Sequence, residues 1–415
     1  MALEGHRVLF ISYNGMLDPL GQSQVLPYLR ELSKRGLRFT LLSFERPGAF
    51  VTEGVARREA LRRSLAEEEI DWHYLRYHQT PSLVATMFDV ANGLRLARKI
   101  IKDKQIELVH ARSHIPATIA LALKRQFGVK LIFDVRGLLA DEYVDAGHWK
   151  KGSIPYRLTK AMEHRALLAA DGVVTLTESI WPIIKQWDGL RNRPEVIHEV
   201  VPCCADLDLF KFSAADRERR RRELGVSDRF VIVYSGSIDG WYLTERMADF
   251  FTEVLKQRSD AHFLWLTPAR HERIKYLMHE RRINESNFTV LAVASPDVAS
   301  YLSASDVGVN FIKPCFSKIA SSPTKNAEYL GCGLPLVINS GIGDSDALIT
   351  LEGVGVLIAN FGESQQASAI SAIQIFARDP SKTRRLTREV AERLFDVRTV
   401  GVGRYARLYE RVLSD

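Results

Sequence analysis

Residues 321–337 read SSPTKNAEYLGCGLPLV, and this stretch gives both a helix and its place in a sheet. Ser322 is a helix-capping residue type and Pro323 suits the first helical position. Gly331 and Gly333 stop the helix before a strand beginning at Leu336. With a strand expected just before it, at 307–311, the segment is the middle of a parallel βαβ unit. The positive end of the helix then opens at the carboxyl edge of the sheet, where open α/β sheets bind ligands. Lys325 and Glu328 are three residues apart, hence neighbours on one helix face, about 4.5 Å apart along the axis. A cation beside a helix N-terminus suits a diphosphate, and a carboxylate one turn further along suits a pair of ribose hydroxyls. The competing reading is an i,i+3 surface ion pair.

Outward from this segment, short β-rich runs alternate with amphipathic stretches along the whole chain. Strands are expected at 8–12, 39–43, 72–75, 108–111, 130–134, 172–175 and 195–200, with helices at 22–35, 52–68, 81–102 and 155–169. After Pro202 the rhythm restarts, with strands at 230–234, 262–266, 288–291, 307–311, 336–339 and 355–358. The 415 residues therefore predict an α/β chain of two Rossmann-like, doubly wound parallel-sheet domains, 1–203 and 204–395. A terminal helix at 396–415 carries Val402, Tyr405, Leu408, Tyr409 and Val412 as one apolar stripe and is expected to return to the first domain.

Composition narrows the function. At 46% hydrophobic and 26% charged, the chain is neither disordered nor fibrous. Apolar runs such as VLFI at 8–11 fall far short of the roughly 20 residues of a spanning helix, and no signal-peptide pattern opens the sequence, so a cytoplasmic location is expected. Cys203, Cys204, Cys315 and Cys332 lack disulfide or zinc spacing and read as reduced and structural. The arginine-rich run at 217–224, RERRRREL, has no interleaved aromatics and reads as a solvated helix face, so no nucleic-acid partner is expected. Of the net charge of +7, residues 1–200 hold +6, which points to an anionic substrate or surface on the first half.

In that half the first strand runs into YNGMLDPLGQSQ at 13–24, where Gly21 would let backbone amides approach an anion at a helix start. The dinucleotide and Walker fingerprints are absent. Arg112 sits between His110 and His114 at a strand end, where ligand contact and helix capping compete. Asp141 and Glu142 follow Arg136 in a loop, where contact with an acceptor hydroxyl competes with a loop ion pair. The tripeptides Asp206-Leu207-Asp208 and Asp344-Ser345-Asp346 look like metal-binding motifs, but no metal and no cofactor is expected.

Taken in order, EYLGCGLPLV with SPTK before it and GIGDSD after it, DPLGQSQVLPYLRELSKRG, HARSHIPA, FDVRGLLADE and VYSGSIDGWY resemble the retaining glycosyltransferases of family four. The resemblance implies the GT-B architecture of two facing Rossmann-like domains, with the terminal helix packing back across them. It also implies transfer of a sugar from a nucleotide-diphosphate sugar with retention at the anomeric carbon. Glu328 is then expected on the donor ribose and Gly21, with Gln22, against the diphosphate. Ser322 and Thr324 stand at the helix start, and Ala294 in the loop 292–295 that receives the nucleobase. The family's earlier glutamate falls on Ala320. Its usual Arg and Lys after the glycine that opens the second domain fall on Ser237 and Tyr242, which leaves Lys325, with Lys313 or Lys318, as the diphosphate cation. Arg136 stands where many relatives present a histidine to the sugar.

The expected catalytic set is therefore Arg136, Lys325 and Glu328, and the expected acceptor set is Arg112, His114, Asp141 and Glu142. The acceptor is expected to be a saccharide or lipid-linked saccharide. The helix at 81–104 combines Leu83, Val84, Met87 and Phe88 with Arg95, Arg98, Lys99 and Lys102, which would suit peripheral contact with an anionic membrane. The alternatives are a nucleotide-sugar epimerase or hydrolase on the same fold, and a non-catalytic nucleotide-sugar-binding protein.

Overall fold

The structure is a computed structural model that describes residues 3–80, 82–193, 196–268 and 270–414. It contains two compact units, residues 1–202 with 397–415 and residues 203–396. The first is built on β1 (Arg7–Ser12), β2 (Arg38–Glu45), β3 (Asp71–Arg76), β4 (Leu108–Arg112), β5 (Lys130–Asp134), β6 (Gly172–Thr175) and β7 (Ile197–Val200). They form one sheet in the order β3-β2-β1-β4-β5-β6-β7, and every pairing is parallel. The order reverses direction beside β1, the kind of switch point outside whose carboxyl edge open α/β sheets bind ligands.

The second unit carries β8 (Phe230–Ser235), β9 (Ala261–Leu266), β10 (Phe288–Leu291), β11 (Val307–Asn310), β12 (Leu336–Asn339) and β13 (Gly355–Ile358), again all parallel, in the order β10-β9-β8-β11-β12-β13. Alternate residues of β8 feed the two faces of this sheet. Phe230, Ile232 and Tyr234 enter one core, and Val231 and Val233 enter the other. Burial on both faces is why these strands read as near-continuous apolar runs.

All thirteen expected strands are present within a residue or two, although Pro81 and Glu195, expected to open a helix and a strand, lie outside the described residues. The helix expected at 22–35 is instead two, Pro19–Gln24 and Leu26–Ser33, broken at Val25. Pro27 explains the break, since its ring has no N–H and clashes with the carbonyl four residues back. The arginine-rich run is also not a uniformly solvated face. On the helix Ala214–Leu224, Arg221 is buried and Arg217 pairs with Asp306 at 2.6 Å.

The terminal helix Val402–Ser414 packs on the first unit's sheet. Its five stripe residues are all buried, and Gly172 makes room for it, since a Cβ there would lie 2.8 Å from Val412 Cγ2. Polar bonds add direction to the apolar contact. The Tyr405 hydroxyl donates to Asp134 at 2.9 Å, and the Tyr409 hydroxyl lies 2.6 Å from His110 Nδ1. Among the described residues, no helix is long and apolar enough to cross a membrane.

Candidate active site

In the second unit β8 ends at Ser235, and Gly236 follows with φ +128°, a left-handed region that favours glycine. The chain then runs through Trp241 and Tyr242, where Tyr242 bridges to Ile312 beyond β11 and the Lys313 N–H donates to the Trp241 carbonyl at 2.8 Å. The loop after β8 is thereby fastened to the loop after β11. Beyond it come a 3-10 turn, Phe316–Ala320, and the helix Thr324–Gly331.

This local fold places two lysines under aromatic rings. Lys325 Nζ lies 3.8 Å from the Tyr242 ring centroid and 5.5 Å from that of Tyr234, while Lys318 Nζ lies 3.9 Å from that of Trp241. Both lysines are buried. The stem of Lys325 crosses Gly236 so closely that a Cβ there would sit 2.7 Å from its Cε. Tyr242, which occupies a position where the resemblance expects a cation, thus holds a cation that arrives from the helix.

Glu328 is partly buried on the same helix, and burial pushes its carboxyl up to about 7 while Lys325 pulls the other way. The two side chains form no salt bridge, so the surface ion pair that competed for this motif is not what the helix carries. Lys325 rests against aromatic faces, and Glu328 keeps its acceptors. Ser322 does not cap the helix. Pro323 is the N-cap in extended geometry, and the Ser322 hydroxyl instead accepts the Cys203 N–H at 3.1 Å. Thr324, the first helical residue, is half-buried, while Lys313, Ser237 and Ala294 are exposed and Ala320 is buried. Ala294 sits after β10, with its carbonyl bonded to the Asp297 N–H.

A buried amide row lies beneath these loops. Asn310 donates to Asn326 at 3.2 Å, and Asn339 accepts the Ile312 N–H at 2.8 Å. Among the described residues no three His, Cys, Asp or Glu side chains gather as a metal would require.

In the first unit Gly21 is buried against the loop that leaves β1, where a Cβ would come 2.2 Å from the Gly15 carbonyl oxygen. Gln22 reaches back to the Met16 carbonyl, and Glu45 fixes the loop by accepting the Met16 N–H at 2.7 Å. Asp134, fully buried at the end of β5, has Arg136 at 3.6 Å. Burial would raise its carboxyl, but Arg136, with His110 and Arg112, holds it well below the usual carboxylate range. Arg112 donates to Asn14 at 3.1 Å. Arg112 and Arg136 therefore flank one ionised carboxylate.

His114 and Asp141 belong to a different network. His114 lies 2.7 Å from Glu163, and Lys160 joins Glu163 at 2.6 Å to Asp141 at 2.9 Å. Glu142 lies over Gly137. Between Arg112 and His114, Ser113 has φ +75°, a strained value for a serine that cost the backbone stability to hold. His110, a candidate for ligand contact in the sequence, is buried against Asp134 and Tyr409, whereas Trp241, Tyr234, Gly236 and Asp134 carry no site assignment from sequence. The only trace of the ring pair was the aromatic dipeptide Trp241-Tyr242.

Residues 21–199 match the family described as a glycosyl transferase 4-like domain. Solved structures match over nearly the whole chain. Sucrose-phosphate synthase of Thermosynechococcus elongatus is 16% identical with a TM-score of 0.71, covering 99% of both chains. A glycosyltransferase of Rickettsia africae is 14% identical with a TM-score of 0.73, also covering 99% of both. HepE of Anabaena is 16% identical with a TM-score of 0.68, covering 97% of this chain and 99% of its own.

The chain has the GT-B fold.

No curated protein sequence matches it significantly. It departs from the pattern that the resemblance implies at Ala320, Ser237 and Tyr242, and the aromatic-clamped lysines lie beside the last of these.

Proposed function

We propose that this GT-B protein is a retaining glycosyltransferase that moves a sugar from a nucleotide-diphosphate sugar to a saccharide or lipid-linked saccharide, without a metal. The observation that carries this reading is the pair of buried lysines at the carboxyl edge of the second sheet, with Glu328 one turn beyond Lys325. Lys325 and Lys318 meet the charge that grows on the departing diphosphate, aided by the positive end of the helix Thr324–Gly331. Because the aromatic rings fix both ammonium groups before substrate arrives, little reorganisation is needed at the moment of bond cleavage. Glu328 accepts hydrogen bonds from the ribose hydroxyls. HepE, which shares the fold, was solved with UDP and with UDP-glucose, which supports a nucleotide-sugar donor here.

On the first unit Arg136, placed by the carboxylate of Asp134, serves the transferred sugar. Arg112, His114, Asp141 and Glu142 stand on the acceptor side, the last three through the loop and helix after β4 and β5. Support for a lipid-linked acceptor comes from the helix Ser82–Lys104. Val84, Met87 and Phe88 are exposed near its start, Arg95, Arg98 and Lys99 are exposed about 10 Å further along, and Ile100 and Ile101 are buried as core. The apolar end would enter the interface and the basic stretch meet anionic headgroups.

The test is incubation of the protein with nucleotide-sugars, with and without saccharide acceptors and in EDTA, with the product anomer read by NMR. Acceptor-dependent release of nucleoside diphosphate with retained configuration in EDTA is expected. Release that ignores acceptor would indicate a hydrolase, and binding without turnover a sensor. Sedimentation with anionic but not neutral vesicles, lost at high salt, is the expected signature of the membrane contact.

A further inference from the structure

At the opposite, amino edge of the second sheet is a cavity of about 260 Å³, walled by residues that precede β8, β9, β11 and β12 and by the helix Pro380–Phe395. Five arginines and three aspartates line it, so its lining is net positive. Most of these charges have a structural partner. Asp306 accepts Arg217 at 2.6 Å and Arg221 at 3.3 Å, Asp260 accepts Arg258 at 3.0 Å, and Arg229 is spent on the carbonyls of Asp260, Ala261 and Ser286.

Arg384 differs from the others. Among the described residues its guanidinium has neither a carboxylate nor a hydrogen-bond acceptor, and its position is nonetheless fixed. The stem lies on Gly333, where a Cβ would come 2.8 Å from Arg384 Cγ, and the guanidinium sits 3.9 Å from the Phe212 ring centroid. Burial, with Arg217 and Arg221 adding to it and Asp306 opposing, pushes its pKa down to about 10. A guanidinium that is held rigidly, half-desolvated and crowded by like charges gains most from an anion with several acceptor oxygens, which it can bind in bidentate fashion.

We propose that this cavity is a binding site for a phosphate-type oxyanion, with Arg384 as its principal contact and Arg217 and Arg221 supplying the surrounding positive potential. The site is separate from the one at the carboxyl edge. The six-residue strands β8 and β9 place the two about 20 Å apart across the sheet. The volume accommodates inorganic phosphate or the phosphate end of a phosphorylated sugar.

Thermal unfolding of the full chain tests this, with inorganic phosphate compared against chloride at equal ionic strength. At phosphate tenfold above its dissociation constant the melting temperature of the second unit should rise by about 3 °C or more. The double variant Lys318→Ala/Lys325→Ala, which removes both buried carboxyl-edge lysines, should keep this rise, and Arg384→Ala should lose it while retaining the parent's affinity for nucleoside diphosphates. Arg384→Gln keeps the stem over Gly333 and serves if the alanine variant does not fold. A hexose phosphate that binds more tightly than inorganic phosphate would identify a phosphorylated metabolite as the natural ligand, and equal binding would identify free phosphate. Both results support the site. An equal rise in chloride, or a phosphate response unchanged by substitution of Arg384, would overturn it.

Discussion

The carboxyl of Glu328 makes the candidate donor site sensitive to pH in a direction that can be worked out. Its native pKa, about 7, lies above the ordinary 4.5, so the native state binds the proton more tightly than the unfolded state does. Glu328 therefore contributes stability that is full below pH 4.5 and is lost as pH rises through 7. Ribose hydroxyls favour the ionised form, so nucleoside diphosphate affinity should increase from pH 6 to 8. Glu328→Gln should flatten that increase and weaken binding roughly tenfold at pH 8, measured by calorimetry. The variant should also melt above the parent at pH 8 in the absence of ligand. Gly236→Ala is the second prediction at this scale. Its new methyl meets Lys325 Cε and its φ of +128° is strained, so a stability loss of about 1–2 kcal/mol and displaced lysine should appear together, as a lower denaturant midpoint and weaker diphosphate binding. Lys325 and Glu328 were legible because helix spacing alone puts them on one face. The rings of Tyr242 and Trp241 were not, because a contact between loops after β8 and β11 leaves no periodic trace in sequence.

Among the elements, the terminal helix Val402–Ser414 is held by apolar packing and by two tyrosine hydroxyls aimed at buried groups. Its stripe was readable from 3.6-residue periodicity, and its polar partners were not, since Tyr405 and Asp134 are 271 positions apart in the chain. The break at Val25 was missed for a different reason, because apolar spacing continues across it and only Pro27 betrays it. Asp134 has a native carboxyl below its ordinary range, so it contributes stability that is present above pH 4 and lost as pH falls. Tyr405→Phe removes one of its donors and leaves the charge less satisfied. A loss of about 1–3 kcal/mol in urea unfolding at neutral pH is expected, together with acid unfolding that begins at higher pH than in the parent. An unchanged acid midpoint would mean that the arginines alone hold the carboxylate.

At the scale of the whole molecule, the two units differ in how the chain builds them. The second is one continuous stretch, 203–396, with both faces of its sheet covered by its own residues. The first is assembled from two stretches, 1–202 and 397–415. Residues 203–396 expressed alone should therefore fold cooperatively and still bind nucleoside diphosphate within about tenfold of the full chain. Residues 1–202 alone should expose the face around Gly172 and His110 and bind a hydrophobic dye, and a synthetic peptide of 397–415 should suppress that binding. Tandem sheets were legible because parallel strands buried on both faces read as apolar runs. That the far end of the chain returns to the first unit was signalled by an amphipathic helix with no partner nearby in sequence.

That split also sets a schedule. A ribosome adding about 5–20 residues per second needs roughly 10–40 seconds to move from the end of the first stretch to the last turn of the closing helix. Throughout that interval the second unit is being made while the first waits with an apolar groove uncovered. Chaperone demand during synthesis should accordingly fall on the half of the protein that is made first.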